Sequence, residues 1–275
     1  MKQLTWQEKI EKYCENFNLP LYYLAETLND PKVIPMIRGK AFEYTVLEKL
    51  QSLLNPKVWK VSKPFINPQL GFHDSDICIE HIESKTKINI ECKLAAKGRI
   101  KSDSKTTTIA VKCMRSRTLG ESMVKKLAPM MGIPEEQLQV HNDQYTPDSF
   151  DFIITSIGNA FYETDNEGKF VFSTALTKIS FIKNFKGRDL KKEIFNTLFI
   201  APSKNIAVKK ENKVSCTRKA CKNPKDCGFI PNYPEIKFEN NSLTPTNEWK
   251  PIDQVEVLVH DYVSTLFSRK AQKIN

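Results

Sequence analysis

Three side chains able together to hydrolyse a phosphodiester, Asp76, Glu91 and Lys93, lie within the stretch SDICIEHIESKTKINIECKLA, residues 75 to 95. Asp76 opens the first apolar run, and Glu91 and Lys93 interrupt the second. Side chains alternate between the faces of a strand, so Glu91 and Lys93 project together while Ile88, Ile90, Cys92 and Leu94 take the other face. The polar ESKTK between the runs reads as a turn. A hairpin then brings Asp76 near the later part of the partner strand, in a register that the sequence leaves open. Two carboxylates offer hard oxygen ligands to Mg2+, which polarises a phosphate and lowers the pKa of a bound water, and a lysine can stabilise or position the attacking hydroxide. Asp74, in HDSD, has the same strand parity and competes for the metal; Asp76 is preferred because it borders the apolar run. His73 and His81 are near but are poorer partners for Mg2+. The plain alternative is a surface hairpin whose Glu–Lys pair is worth about 0 to 1 kcal/mol.

The elements that must position these groups are legible from periodicity. Thr5 with Glu8 makes a capping box ahead of Trp6, Ile10, Tyr13, Cys14 and Phe17, which predicts a helix over residues 5 to 18, and LPLYYLAETLND predicts a second. After Pro35, Phe42, Val46, Leu47, Leu50, Leu53 and Leu54 trace an apolar stripe closed by Asn55-Pro56. Glu43 falls on or beside that stripe, where an acid needs a reason. Short β-like runs follow: KVWKVS, DICIEHI, INIECKL, TTIAVKC, FDFIITSI, AFYET and KFVFSTA, with DNEG as a hairpin turn between the last two. Helices are expected around residues 120 to 132 and 189 to 199, a loop-rich tract over 201 to 250, and a final helix in DQVEVLVHDYVSTLFSRK. Helices first, then strands mixed with helices, indicate an α/β or α+β chain.

Asp76, fourteen residues, then Glu91-Cys92-Lys93, resembles the D…(D/E)-x-K signature of the PD-(D/E)XK nucleases, and the upstream RGKAFE matches their habit of placing a glutamate on a helix before the metal strand. Ser75 stands where the signature has proline. The resemblance implies Asp76 and Glu91 as Mg2+ ligands, Lys93 as the water-positioning base or stabiliser, and Glu43 as an accessory acid. It also implies an α/β restriction-endonuclease-like core, a mixed central sheet flanked by helices. The whole of 1–275 is then one nuclease domain, with a helical extension at 1–35, the catalytic core at 36–200, and a cysteine-containing loop region with a terminal helix at 201–275. The expected activity is that of a type II restriction enzyme: Mg2+-dependent, sequence-specific cleavage of double-stranded DNA that leaves 5′-phosphate and 3′-hydroxyl ends, by a homodimer. A structure-directed repair or recombination nuclease and a non-catalytic nucleic-acid-binding module are the alternatives.

Charge agrees with a polyanionic partner: the 275 residues carry a formal net charge of +10 and a pI near 9.1. Lys97, Arg99, Lys101 and Lys105 follow the strand with Glu91, and Lys112, Arg115 and Arg117 close the next; phosphate contact is the expected role of each. In FIKNFKGRDLKK, Phe181 and Phe185 read as core residues. Cys216, Cys221 and Cys227, spaced C-x4-C-x5-C, can supply three thiolates to Zn2+, with Cys113 or His260 as candidate fourth ligands. The C-x2-C element of the iron–sulfur nucleases is absent. Seven scattered cysteines suit a reducing compartment, and the charged amino terminus lacks a signal peptide's apolar stretch, so a cytoplasmic protein without a membrane span is expected.

Overall fold

Thr5 and Glu8 form the expected reciprocal cap in a computed structural model of the chain, which describes residues 4–64 and 75–272. The helix they start, α1 (Trp6–Asn16), is followed by α2 (Leu24–Asn29) and by α3 (Ile34–Leu53), whose Phe42, Val46 and Leu50 are fully buried. Then come β1 (Trp59–Ser62), β2 (Ile77–His81), β3 (Lys87–Ser102), β4 (Thr106–Val111), α4 (Glu121–Met131), α5 (Glu135–Val140) and β5 (Phe152–Ser156). The chain continues through the hairpin β6 (Tyr162–Thr164) and β7 (Phe170–Phe172), α6 (Leu190–Asn196), β8 (Leu198–Pro202) and α7 (Ser203–Ile206). It ends with β9 (Glu235–Glu239), β10 (Lys250–Pro251) and α8 (Val255–Gln272).

The main sheet has the order β1-β2-β3-β5-β8-β10; β3 and β5 run parallel and the other neighbours antiparallel. β3 is the organising strand. Its first half pairs with β2 and β5; its second half leaves them for β4, which pairs in turn with β9. The turning point is a register shift between Ala95 and Ile100 that contains Gly98 at φ +65°, the left-handed region that glycine enters without strain. The chain is therefore mixed α/β, with a curled mixed central sheet flanked by helices. One face of the sheet packs Ile88, Ile90, Phe152, Ile154 and Ile200 against α3 and α8. The other packs Ile153, Phe199 and Ala201 against Phe161, Phe181, Phe185, Ile194 and Trp249. Phe181 and Phe185 are thus core residues, as expected.

Four boundaries differ from the sequence reading. The helix expected to 199 stops at Asn196, and Leu198–Pro202 is a central strand: buried on both faces, LFIAP has no alternation to separate it from a helix. The strand expected to end at Leu94 runs on through the basic stretch to Ser102. α5 was not anticipated, and the tract 201–250 holds β9 and β10 besides loops. No helix among the described residues is long and apolar enough to cross a membrane.

Candidate active site and a histidine–cysteine cluster

The hairpin register places Asp76. Ile77 stands opposite Ile90, so the next residue outward, Asp76, faces Glu91 across the ladder and shares its face. Asp76 Oδ2 accepts the Cys92 backbone N–H at 2.9 Å, which ties the carboxylate to the partner strand beyond the last paired position. Burial, then the negative charge of Glu91, push the Asp76 carboxyl up to about 7, with Glu43 adding to the effect. His73 and Asp74 lie outside the described residues. His81 is at the far end of β2, where it bonds Ser84 and packs on Trp59, away from Asp76.

Glu91 and Lys93 project together as the parity predicts. Glu91 Oε1 accepts from Lys93 Nζ at 2.6 Å and from the Tyr145 hydroxyl at 3.0 Å, and Glu91 itself is only 7% exposed. Burial alone would lower the Lys93 pKa. The Glu91 carboxylate more than offsets it and holds the ammonium above its ordinary value, so Lys93 is a cation at neutral pH. Burial and Glu91 likewise hold the Tyr145 phenol well above its usual range. Arg115 is half-buried, donates from Nε to Gln144 O at 3.0 Å, and lies 4.9 Å from the Tyr145 ring centroid.

Glu43 is buried on α3, with its two oxygens engaged by Lys40 at 2.7 Å and by Lys63. It is close enough to Asp76 to raise that group's pKa, yet Glu43, Asp76 and Glu91 do not gather their oxygens as tightly as the cysteine group does. Lys40, three residues before Glu43, was readable as a helical neighbour. Lys63 and Tyr145 approach from other elements and left no local signal.

The remaining basic candidates are exposed. Lys97 bonds Thr164 and sits 5.6 Å from the Phe170 ring, and the Arg99 guanidinium lies 4.0 Å from the Tyr233 ring. Lys101, Lys105, Lys112 and Arg117 form no ion pair among the described residues. Arg38, on α3, is enclosed by aromatic rings, its guanidinium 4.2 Å from Tyr162 and 4.6 Å from Phe170.

The three spaced cysteines converge, but with a different fourth partner. The ligand atoms of His141, Cys216, Cys221 and Cys227 all lie within 4.8 Å of one another, an arrangement able to hold a metal ion. Neither proposed fourth ligand belongs to it. Cys113 is buried in the main core, its thiol pushed up to about 12 by burial, and His260 packs edge-on to Trp59. His141 is the C-cap of α5, 75 residues before Cys216, and nothing but its residue type marked it. None of the seven cysteines is in a disulfide.

Comparison with known protein families, curated proteins and solved structures gives no match to this chain.

Proposed function

We propose that the chain is a Mg2+-dependent endonuclease of double-stranded DNA, sequence-specific in the manner of type II restriction enzymes, built on a restriction-endonuclease-like core. The observation that carries this reading is the register: Asp76 faces Glu91 across the hairpin, with Lys93 two residues further along the same face. A half-buried and a buried carboxylate held together at a cost in ionisation, as the raised Asp76 pKa indicates, are a site that a divalent cation relieves. The donor set fits, since both groups present hard oxygens.

Mg2+ held by Asp76 and Glu91 would supply Lewis-acid polarisation of the phosphate and a more acidic water. The chain's own residues do the rest. Asp76 is oriented by the Cys92 N–H, and Glu91 by the Tyr145 hydroxyl. Lys93, a firm cation, acts as an electrostatic stabiliser of the phosphate and of the attacking oxygen rather than as a proton acceptor, because its pKa is held up and not down. Glu43, anchored by Lys40 and Lys63, adjusts the charge beside Asp76. In-line attack of water on phosphorus leaves 5′-phosphate and 3′-hydroxyl ends.

The exposed Lys97, Arg99, Lys101, Lys105, Lys112 and Arg117 are suited to phosphate contact. A homodimer suits a twofold DNA site, and the α1 region presents a face for it that the described residues leave open, with Trp6, Tyr13 and Phe17 at least half exposed. A cytoplasmic location accords with seven unpaired cysteines.

The test is incubation of the protein with plasmid and phage DNA, with Mg2+ or with EDTA. Discrete fragments that vanish in EDTA support the reading; smearing indicates a structure-directed or nonspecific nuclease, and binding without cutting a non-catalytic module. Sedimentation equilibrium checks the dimer.

A further inference from the structure

We propose that His141, Cys216, Cys221 and Cys227 form a closed structural site for Zn2+ that staples the segment after α7 to the α4–α5 hairpin. The inference is independent of the nuclease reading. One imidazole nitrogen and three sulfurs are borderline-soft donors, which select Zn2+ over Mg2+ or Ca2+. The spacing fits: Cys216 Sγ is 3.6 Å from His141 Nε2, and zinc bonds of about 2.3 Å to sulfur and about 2.1 Å to nitrogen at a tetrahedral angle span about 3.6 Å.

The surroundings are those of a ligand set. His141 Nδ1 lies 2.7 Å from Gln137 O, so it carries the proton and donates it there, leaving the Nε2 lone pair toward Cys216. The ring is fixed by stacking on Phe229, centroids 4.3 Å apart and planes 9° apart. Two sulfurs accept backbone N–H groups from two residues on, Arg218 to Cys216 at 3.4 Å and Phe229 to Cys227. Such bonds support thiolates rather than thiols.

The fold around the cluster also needs a staple. Between α7 and β9 there is neither an α-helix nor a strand, and the apolar cluster joining this segment to α4 and α5 has six buried members, Val124, Ala128, Leu138, Val208, Cys227 and Phe229, with its other apolar side chains only partly buried. So few buried side chains hold a long irregular segment poorly, whereas a metal closing the loop from His141 to Cys216 fixes it directly. Four protein ligands leave no open position for substrate, so the role is structural.

The test uses the full chain purified without chelator. Elemental analysis should find one equivalent of zinc per chain, released as the thiols are titrated with an organomercurial. Protein refolded with Co2+ should show the thiolate charge-transfer band and the strong visible bands of a tetrahedral site. Cys221→Ser and His141→Ala should lose the metal or bind it much more weakly, His141→Cys should retain it, and Cys78→Ser should be unchanged. Wild-type protein with no bound zinc and no cobalt bands would overturn the proposal. So would a Cys216–Cys227 disulfide in the native protein, or full zinc in Cys221→Ser. Should the variants fail to fold, the cobalt spectrum of the wild type decides alone.

Discussion

The carboxylate site on the β2–β3 hairpin and the thiol cluster beside α5 are put together in opposite ways. Glu91 and Lys93 sit on β3 and Asp76 immediately precedes β2, its paired neighbour, in a sheet whose two faces are covered by large cores. His141, Cys216, Cys221 and Cys227 come from a helix end and an irregular loop, beside a core of six buried side chains. In the first, the fold positions the carboxylates and bears the electrostatic cost, visible in the raised Asp76 pKa. In the second, the ligands hold the fold. A metal removed from the hairpin should therefore cost activity first, with a stability loss limited to the carboxylate cost it had relieved, and a metal removed from the cluster should cost stability first.

The largest test of that contrast is Lys93→Ala. Cleavage should fall by about 10²- to 10³-fold, with binding of DNA in Ca2+ and zinc content unchanged; loss of zinc or of fold would erase the distinction. Next is Cys221→Ser, or zinc removal from the wild type, which should destabilise by about 3 kcal/mol or more, a drop in Tm of about 6 °C or beyond, measured calorimetrically.

Asp76→Asn sharpens the comparison by going the other way. Because the folded carboxyl titrates near 7 rather than near its ordinary 3.8, the folded chain binds a proton more tightly than the unfolded one between those values. The wild type without Mg2+ thus loses stability as pH rises from 4 to 7, and keeps that deficit above 7. The variant lacks the deficit. It should be inactive yet more stable at pH 8, by no more than about 4 kcal/mol for a carboxyl raised from 3.8 to about 7, a gain that fades toward pH 4 in urea titrations without added Mg2+. A less stable variant at pH 8 would show that Asp76 carries no such cost.

Tyr145→Phe removes the hydroxyl that orients Glu91, and cleavage should fall about tenfold, about 1 to 2 kcal/mol, with zinc content and salt dependence of binding unchanged. The smallest effect is expected from Lys101→Ala, which should weaken DNA binding uniformly across sequences and reduce the slope of log K against log salt by about 1. An unchanged slope would remove Lys101 from the phosphate contacts.

Legibility in the sequence follows the same division. The parity of Glu91 and Lys93, the capping box at Thr5 and the burial of Glu43 were readable, because each is a matter of spacing within one element. Tyr145 and Lys63 were not, since nothing local records which loop or strand end arrives at a carboxylate. The three cysteines announced themselves by spacing, but their histidine stands 75 residues upstream at a helix end and could not be told from the other histidines. β8 was merged with α6 because a strand buried on both faces loses the alternation that marks strands.

Under the proposed nuclease activity, the long strand β3 has a further consequence. Lys93 and Lys101 lie on one unbroken piece of backbone, eight residues apart, a separation of at most about 26 Å at about 3.3 Å per residue. That is about the rise of eight base pairs. A duplex gripped at the far end of β3 would be measured off against this strand, and the bend at Gly98 would set how much of that length is used. The distance between the bases contacted and the bond broken would then be a property of one ruler rather than of two parts that move.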